Sequence, residues 1–347
     1  MLSQLHRRCL EELLGDELIV HELDRKAVSG ARSVFRALRG YIDGVSPAVQ
    51  DRIVRIAREQ GVSRIFLDGS NLGRLAKIAK KHLPEVEVLT FFHNVEARFF
   101  LGALRESRNV HALAVLFANF VAERMAVRCS GRRITLSERD SRLLTRLYGR
   151  AGTDILAMAV EDKLPPDWAE ATPAAQEGYA LFLGGAFYAN QAGIAWFAEK
   201  VAPHVDIKTY VIGRGMEALR DRIERSGKVE VVGAVEQLGD WYLNARVVIA
   251  PIFDGSGMKT KTAEALMFGK KIVGTAEAFS GYEAIAGLAG WLCDSPEQFI
   301  AALREAQSIP LKRFDPKLRR LYERLYSRPA ARRNLGEILG TPPFAAI

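Results

Sequence analysis

Residues 250–264, APIFDGSGMKTKTAE, constrain this chain more than any other stretch. The run just before and into them, 246–251 (RVVIAP), is apolar and β-branched without alternation, the pattern of a strand buried on both faces of a parallel sheet. A Gly-Ser-Gly turn follows, and 260–268 has helical composition closed by Gly269. A strand, a glycine loop and a helix in that order belong to an open α/β sheet, whose ligands sit beyond the carboxyl ends of the strands. The loop suits an anion. Glycines admit close approach, a helix start offers unpaired N–H groups and the positive end of its dipole, and Lys259 and Lys261 add full charges. Glu264 lies one turn into the helix, and a carboxylate beside a phosphate cradle suits a neutral diol such as a ribose. Together these residues predict a nucleoside diphosphate as ligand.

Strand-like runs at 179–185 (YALFLGG), 208–215 (KTYVIGRG), 229–235, 246–251 and 271–275 alternate with helical patterns, among them an amphipathic helix around 193–201 after Asn190. They predict a doubly wound parallel sheet. Upstream, 64–68 (RIFLD), 86–93 (VEVLTFFH) and 133–137 (RITLS) read as strands, and 46–60 and 71–82 as helices, so the first half is α/β as well. At 164–178 Pro, Ala and acidic residues dilute the periodicity, which marks a linker. A chain of 347 residues, 48% hydrophobic, is long enough for two cores. The expected organisation is an N-terminal domain at 1–165, a linker at 166–178, a C-terminal domain at 179–313 and a charged terminal helix within 314–347.

Composition narrows the function classes. The three cysteines, Cys9, Cys129 and Cys293, are far apart and form no Cys-x-x-Cys pair, so neither a disulfide framework nor a zinc site is indicated and a reducing, cytoplasmic setting fits. The start of the chain is charged rather than signal-like, and no apolar run is expected to reach the length that spans a bilayer. Residues 1–163 hold 27 Lys/Arg against 20 Asp/Glu, so nearly all of the net charge of +8 belongs to the first half. Such a surface suits an anionic membrane. No aromatic interleaving, helix-turn-helix or zinc-finger spacing points to nucleic acid. Gly213-Arg-Gly215 is only a fragment of the Gly-x-Gly-x-x-Gly start that a dinucleotide-dependent dehydrogenase needs.

Taken together, 182–190, 210–215, 233–251, 255–264 and 269–283 resemble the donor half of a family 4 (group 1) glycosyltransferase of the bacterial polysaccharide or capsule type. The variant is the one with a Gly-Ser-Gly-x-Lys-x-Lys loop and a Gly-Thr-x5-Gly-Tyr-Glu tail. The resemblance implies the α/β GT-B fold, two Rossmann-like doubly wound domains facing a cleft, with a terminal helix crossing back onto the first. It implies that Gly184, Gly185, Arg214, Ser256 and Gly257 hold the nucleotide diphosphate of a nucleotide sugar with Lys259 and Lys261, that Glu264 takes the ribose, and that no metal or other cofactor is needed. Two departures stand out: Ser256 replaces the first glutamate of the family's Glu-x7-Glu signature, and Gly185 stands where an arginine often does. Lys259, Lys261 and Arg214 are the cations available instead.

On the acceptor side, Phe92-His93-Asn94-Val95-Glu96 resembles the family's His-Asn-x-Glu segment, which implies that His93 bonds the donor sugar or the acceptor and that Glu96 positions the acceptor, a glycan or a lipid-linked sugar. A cap on the following helix is the other role open to His93 and Asn94. Ser137, three residues before Asp140, resembles the family's acceptor-side serine and is equally a good N-cap. The helix at 109–128, with Phe117, Phe120 and Met125, is expected to be buried, its rim aromatics free to enter lipid. The chain opens in a helix, and 16–23 resembles the second strand of such a domain, so its first strand and about 30 residues are expected to be missing. The expected activity is transfer of a sugar from a nucleotide-diphospho-sugar, with retention of configuration, at the cytoplasmic face of a membrane. A catalytically silent sugar-nucleotide binder and a GT-B-like sugar-nucleotide epimerase are the alternatives.

Overall fold

The computed structural model describes residues 2–24, 31–166, 168 and 178–341; most of the predicted 166–178 linker lies outside them. The chain divides into two compact units, each assembled from two segments. The N-terminal unit comprises Leu10–Ala157 with Leu335–Ile347, and the C-terminal unit Met158–Asn334 with Met1–Cys9.

The N-terminal unit holds a four-stranded parallel sheet, β1 (Arg64–Asp68), β2 (Glu87–Phe92), β3 (Arg132–Thr135) and β4 (Asp154–Ile155), in sequential order. The Gly73–His82 helix packs through Leu75, Ala76 and Ala79 against Leu67 and Val88. Gly73 lets this helix meet the Val110–Cys129 helix closely, since a Cβ there would lie 1.9 Å from the Ala122 carbonyl oxygen. Ile338 and Leu339, near the end of the chain, close on the same unit by accepting hydrogen bonds from Arg132 and Arg64.

Three expectations need correction here. The 16–23 segment is no strand: Gly15–Glu17 is a turn of 3-10 helix and 18–24 is irregular, with Ile19 and Val20 exposed and no strand among the described residues paired with it. The Val110–Cys129 helix is not mainly buried. Ala118, Ala122 and Ala126 face inward, whereas Val110, Leu113 and Phe117 are exposed. At 20 residues and a mean hydropathy of 1.5 it is also long and apolar enough to cross a membrane, contrary to the reading of the sequence, although its inward face is part of the unit's packing.

The C-terminal unit carries a six-stranded parallel sheet in the order β10-β9-β8-β5-β6-β7. Its strands are β5 (Tyr179–Leu183), β6 (Thr209–Ile212), β7 (Val229–Gly233), β8 (Ala245–Ala250), β9 (Ile272–Gly274) and β10 (Gly290–Leu292). Five match the runs named above. The sixth, β10, is three residues long and partly exposed at the sheet edge, too short to show a period. Phe182, Ile194, Phe197, Val211, Val247, Ile249 and Val273 form its core. The strand order reverses between β5 and β8, so the loops after these two strands flank a topological switch point, where doubly wound sheets bind ligands. The predicted terminal helix is two, Pro316–Leu325 and Arg328–Leu339, because the Ser327 hydroxyl accepts from the Ala330 N–H and Pro329 in the new first turn has no N–H to continue the old one.

Replacing Gly73 with Ala pushes a methyl group into backbone and is expected to destabilise the protein by about 1–3 kcal/mol. Gly287→Ala, in a short helix with open space around it, is expected to be neutral or stabilising by up to about 1 kcal/mol, both read by denaturant unfolding.

Candidate functional site

The loop after β8 and the start of the Thr260–Met267 helix form a cradle. Gly255 and Gly257 have φ of 142° and 65°, left-handed backbone that a side chain would strain. Between them the Ser256 hydroxyl oxygen is buried without a hydrogen-bond partner. No side chain caps the helix. Its start is fixed from behind: the Tyr282 hydroxyl donates to the Lys259 carbonyl at 2.8 Å, and the Thr262 hydroxyl to that of Ala278 at 2.8 Å. The Gly-Tyr-Glu tail thus braces the loop.

The two lysines are held differently. Lys259 turns back on its own loop, its ammonium 2.9 Å from the Gly257 carbonyl and 2.8 Å from Glu277. Lys261 donates to Asn190 Oδ1 at 3.0 Å and lies 4.6 Å over the Phe182 ring. Burial, and then the neighbouring charge of Lys259, push the Lys261 amine down to about 7, with Glu264 opposing. Asn190 also donates to the Gly185 carbonyl at 3.0 Å, so it ties Lys261 to the Gly184-Gly185 turn that ends β5. Arg214 lies beside this turn, its carbonyl accepting from the Ala186 N–H at 3.0 Å. Its side chain is exposed and forms no ion pair among the described residues.

Glu264 is nearly buried. One of its oxygens accepts from Lys163 at 3.1 Å and the other from the Tyr242 hydroxyl at 3.2 Å, while the Tyr242 ring stacks on Phe268 at 4.4 Å. Each carboxylate oxygen keeps a second lone pair for a neutral hydroxyl. The sequence reading missed Glu277, Lys163 and Tyr242 as partners. Glu277 stood within the 276–283 tail, but nothing in its spacing identified it as the counterion of Lys259.

In the N-terminal unit His93, Asn94 and Glu96 lie where β2 ends. His93 Nε2 is 2.9 Å from Asp68 Oδ1, and Asp68 ends the adjacent β1, so parallel pairing brings the two together. The Glu96–Ser107 helix is not capped by His93 or Asn94. Its first N–H groups, of Glu96 and Ala97, donate at 2.8 and 3.1 Å to Glu123, a fully buried carboxylate of the Val110–Cys129 helix. Glu123 also accepts from Ser70 at 3.1 Å and Tyr148 at 2.6 Å. Burial raises the pKa of both carboxyls, that of Glu96 to about 7 with help from the Glu123 charge. Ser137 caps the Glu138–Tyr148 helix, its hydroxyl accepting from the Asp140 N–H at 3.2 Å and donating to the Asp140 carboxylate at 2.9 Å. Neither Asp68 nor Glu123 had been singled out in the sequence.

Residues 177–308 match the family model of glycosyl transferases group 1. No curated protein sequence matches the chain. Among solved structures it is similar to HepE (Alr3699) of Anabaena in complex with UDP, with a TM-score of 0.61 at 14% identity over 85% of this chain and 82% of that one. It is similar to a glycosyltransferase of Rickettsia africae, with a TM-score of 0.61 at 14% identity over 95% and 86%. A UDP-forming trehalose-phosphate synthase of Burkholderia vietnamiensis scores 0.60 at 13% identity over 91% and 81%.

Because the Glu96 carboxyl titrates higher folded than unfolded, the stability it contributes is full below its ordinary value of 4.5 and is lost as pH rises to about 7. Melting temperature is expected to fall across that interval, and Glu96→Gln to flatten the fall without abolishing it, because Glu123 is shifted in the same direction.

Proposed function

We propose that this chain, whose residues 177–308 match the group 1 glycosyl transferase model and whose fold is that of GT-B enzymes, is a glycosyltransferase that moves a sugar from a nucleotide-diphospho-sugar to a hydroxyl of a glycan or lipid-linked acceptor. The reading includes retention at the anomeric carbon, no metal or other cofactor, and a place in the cytoplasm at an anionic membrane face. One observation carries it: at the switch point, an unpartnered buried hydroxyl, two lysines and an uncapped helix start surround a single glycine turn, with a carboxylate one helical turn away.

In this reading the diphosphate lies against the Gly255–Gly257 turn. Ser256 and the first N–H groups of the helix donate to its oxygens, and Lys259 and Lys261 neutralise it. Glu264 accepts from the ribose hydroxyls. Gly184 and Gly185, in the loop after β5, and Arg214, in the turn after β6, border the sugar and phosphate. The acceptor oxygen bonds to the anomeric carbon as the bond to the diphosphate breaks, and its proton passes to the leaving phosphate oxygen on the same face. Negative charge grows on the leaving group, and donors already in place stabilise it without reorganising. On the acceptor-side unit His93, oriented by Asp68, and Glu96 with Asn94 offer hydrogen bonds to the acceptor. HepE was crystallised with UDP-glucose, which makes UDP the first ligand to try.

Titration calorimetry with UDP, GDP, ADP, CMP and dTDP tests the donor site. One diphosphate is expected to bind selectively, with affinity reduced about 10- to 100-fold in Glu264→Ala and in Lys261→Met, the range of a lost charge-assisted hydrogen bond. Binding of none would refute the site. An anion raises the pKa of Lys261 from about 7, so binding takes up a proton, and affinity is expected to weaken as pH rises from 7 to 9 in wild type but not in Lys261→Met. Turnover is expected to survive EDTA unchanged, and proton NMR of the product to show the donor's anomeric configuration. Loss of activity on chelation would remove the metal-independent reading.

A further inference from the structure

The N-terminal unit carries a second concavity that none of these groups uses. A cavity of about 590 Å³ is lined by five cations, Arg39, Arg74, Lys77, Arg124 and Arg128, and by no carboxylate among the described residues. None of the five forms an ion pair among those residues. Arg74 donates to the Tyr41 hydroxyl at 3.0 Å and stacks over its ring at 4.7 Å, while its buried Nε has no hydrogen-bond partner. Like charges around one hollow repel unless an anion joins them, and a buried guanidinium N–H without an acceptor is destabilising. Favourable interaction with the helix dipole explains Arg128, in the last turn of its helix, but not the convergence of cations from three segments. The hollow suits a group with several anionic oxygens, a phosphate ester.

What carries that phosphate follows from the helix itself. Val110, Leu113, Phe117, Val121, Arg124 and Arg128 follow one another at steps of three and four, so they share one face of the Val110–Cys129 helix. Val110, Leu113 and Phe117 are 83, 54 and 51% exposed. Phe117 stands about 10 Å along the axis from Arg124. Next to Arg39 of the cavity lining, Phe35 is 57% exposed, with the Arg39 guanidinium 4.2 Å over its ring. One stripe is therefore apolar at one end and cationic at the other. A soluble phosphate would use the cations and leave the apolar half without a partner, whereas a phospholipid uses both.

We infer that this face docks on an anionic bilayer, with a phospholipid phosphate in the Arg39, Arg74, Arg124 and Arg128 hollow and the Val110, Leu113 and Phe117 side chains among the acyl chains. The inference deepens the membrane-face part of the proposed function and is independent of the donor site. Sedimentation of the full chain with phosphatidylcholine vesicles, with and without phosphatidylglycerol, tests it. Binding is expected only to the anionic vesicles. It should weaken about 30-fold in Arg124→Gln/Arg128→Gln, the effect of two cations at a charged surface, and roughly 10-fold in Phe117→Ser. Far-UV circular dichroism and melting temperature unchanged in both variants confirm folding, and UDP affinity, measured in parallel and expected to be unchanged, keeps the result separate from the donor reading. Anionic-vesicle binding undiminished in the arginine variant would overturn the inference. So would inorganic phosphate displacing the vesicles while Phe117→Ser has no effect, which marks a soluble-anion site. Single-stranded DNA binding more tightly than vesicles, through the same arginines, would mark a nucleic-acid surface instead.

Discussion

Parallel pairing is the constraint on which the rest of this molecule depends. Within each sheet every strand points the same way, so every strand-to-helix turn of a unit opens at one edge, and polar groups far apart in the chain become neighbours there. Asp68 and His93 meet because β1 and β2 end in register. The Gly184-Gly185 turn and the 251–259 loop meet because the order reverses between β5 and β8, leaving no crossover helix to fill the gap between them. The apolar cores hold the strands; the chemistry collects where the strands stop.

Helices starting at that edge must satisfy their first N–H groups, and the two units do so differently. In the N-terminal unit Glu123 takes the N–H groups of Glu96 and Ala97 and the hydroxyls of Ser70 and Tyr148, so one buried carboxylate joins four segments. In the C-terminal unit no side chain caps the Thr260–Met267 helix, and the hydroxyl nearest its loop is also unpartnered. One helix start is capped by a buried carboxylate, and the other has no side chain on its first donors.

Most of this sheet architecture was legible in the sequence because fully buried parallel strands are continuous β-branched runs: 246–251 and 179–185 announce β8 and β5 within two residues. The edge strand β10, with three residues, carries no such signal. The Val110–Cys129 helix misled in the opposite sense. It is apolar on several sides, so periodicity gave no inward face, and only its contacts distinguish the small alanines that pack from the large side chains that do not. The positions of the glycine turn, the lysines and the two glutamates were legible, but their partners were not. Glu277 is 18 residues from Lys259, Glu123 is 27 from Glu96 and Lys163 is 101 from Glu264, separations set by crossover lengths rather than by local pattern.

Lys259 held by Glu277 and two carbonyls, and Lys261 held by Asn190, mean that the cations of the cradle already have acceptors of their own. On the proposed reading a diphosphate exchanges places with these internal acceptors, so its net affinity is the difference between two well-solvated arrangements rather than the full attraction of bare cations. In a transferase that difference governs how soon the spent nucleotide departs. A cradle with its own counterion releases its product readily, and the residues that weaken binding are then the ones that set the pace of turnover.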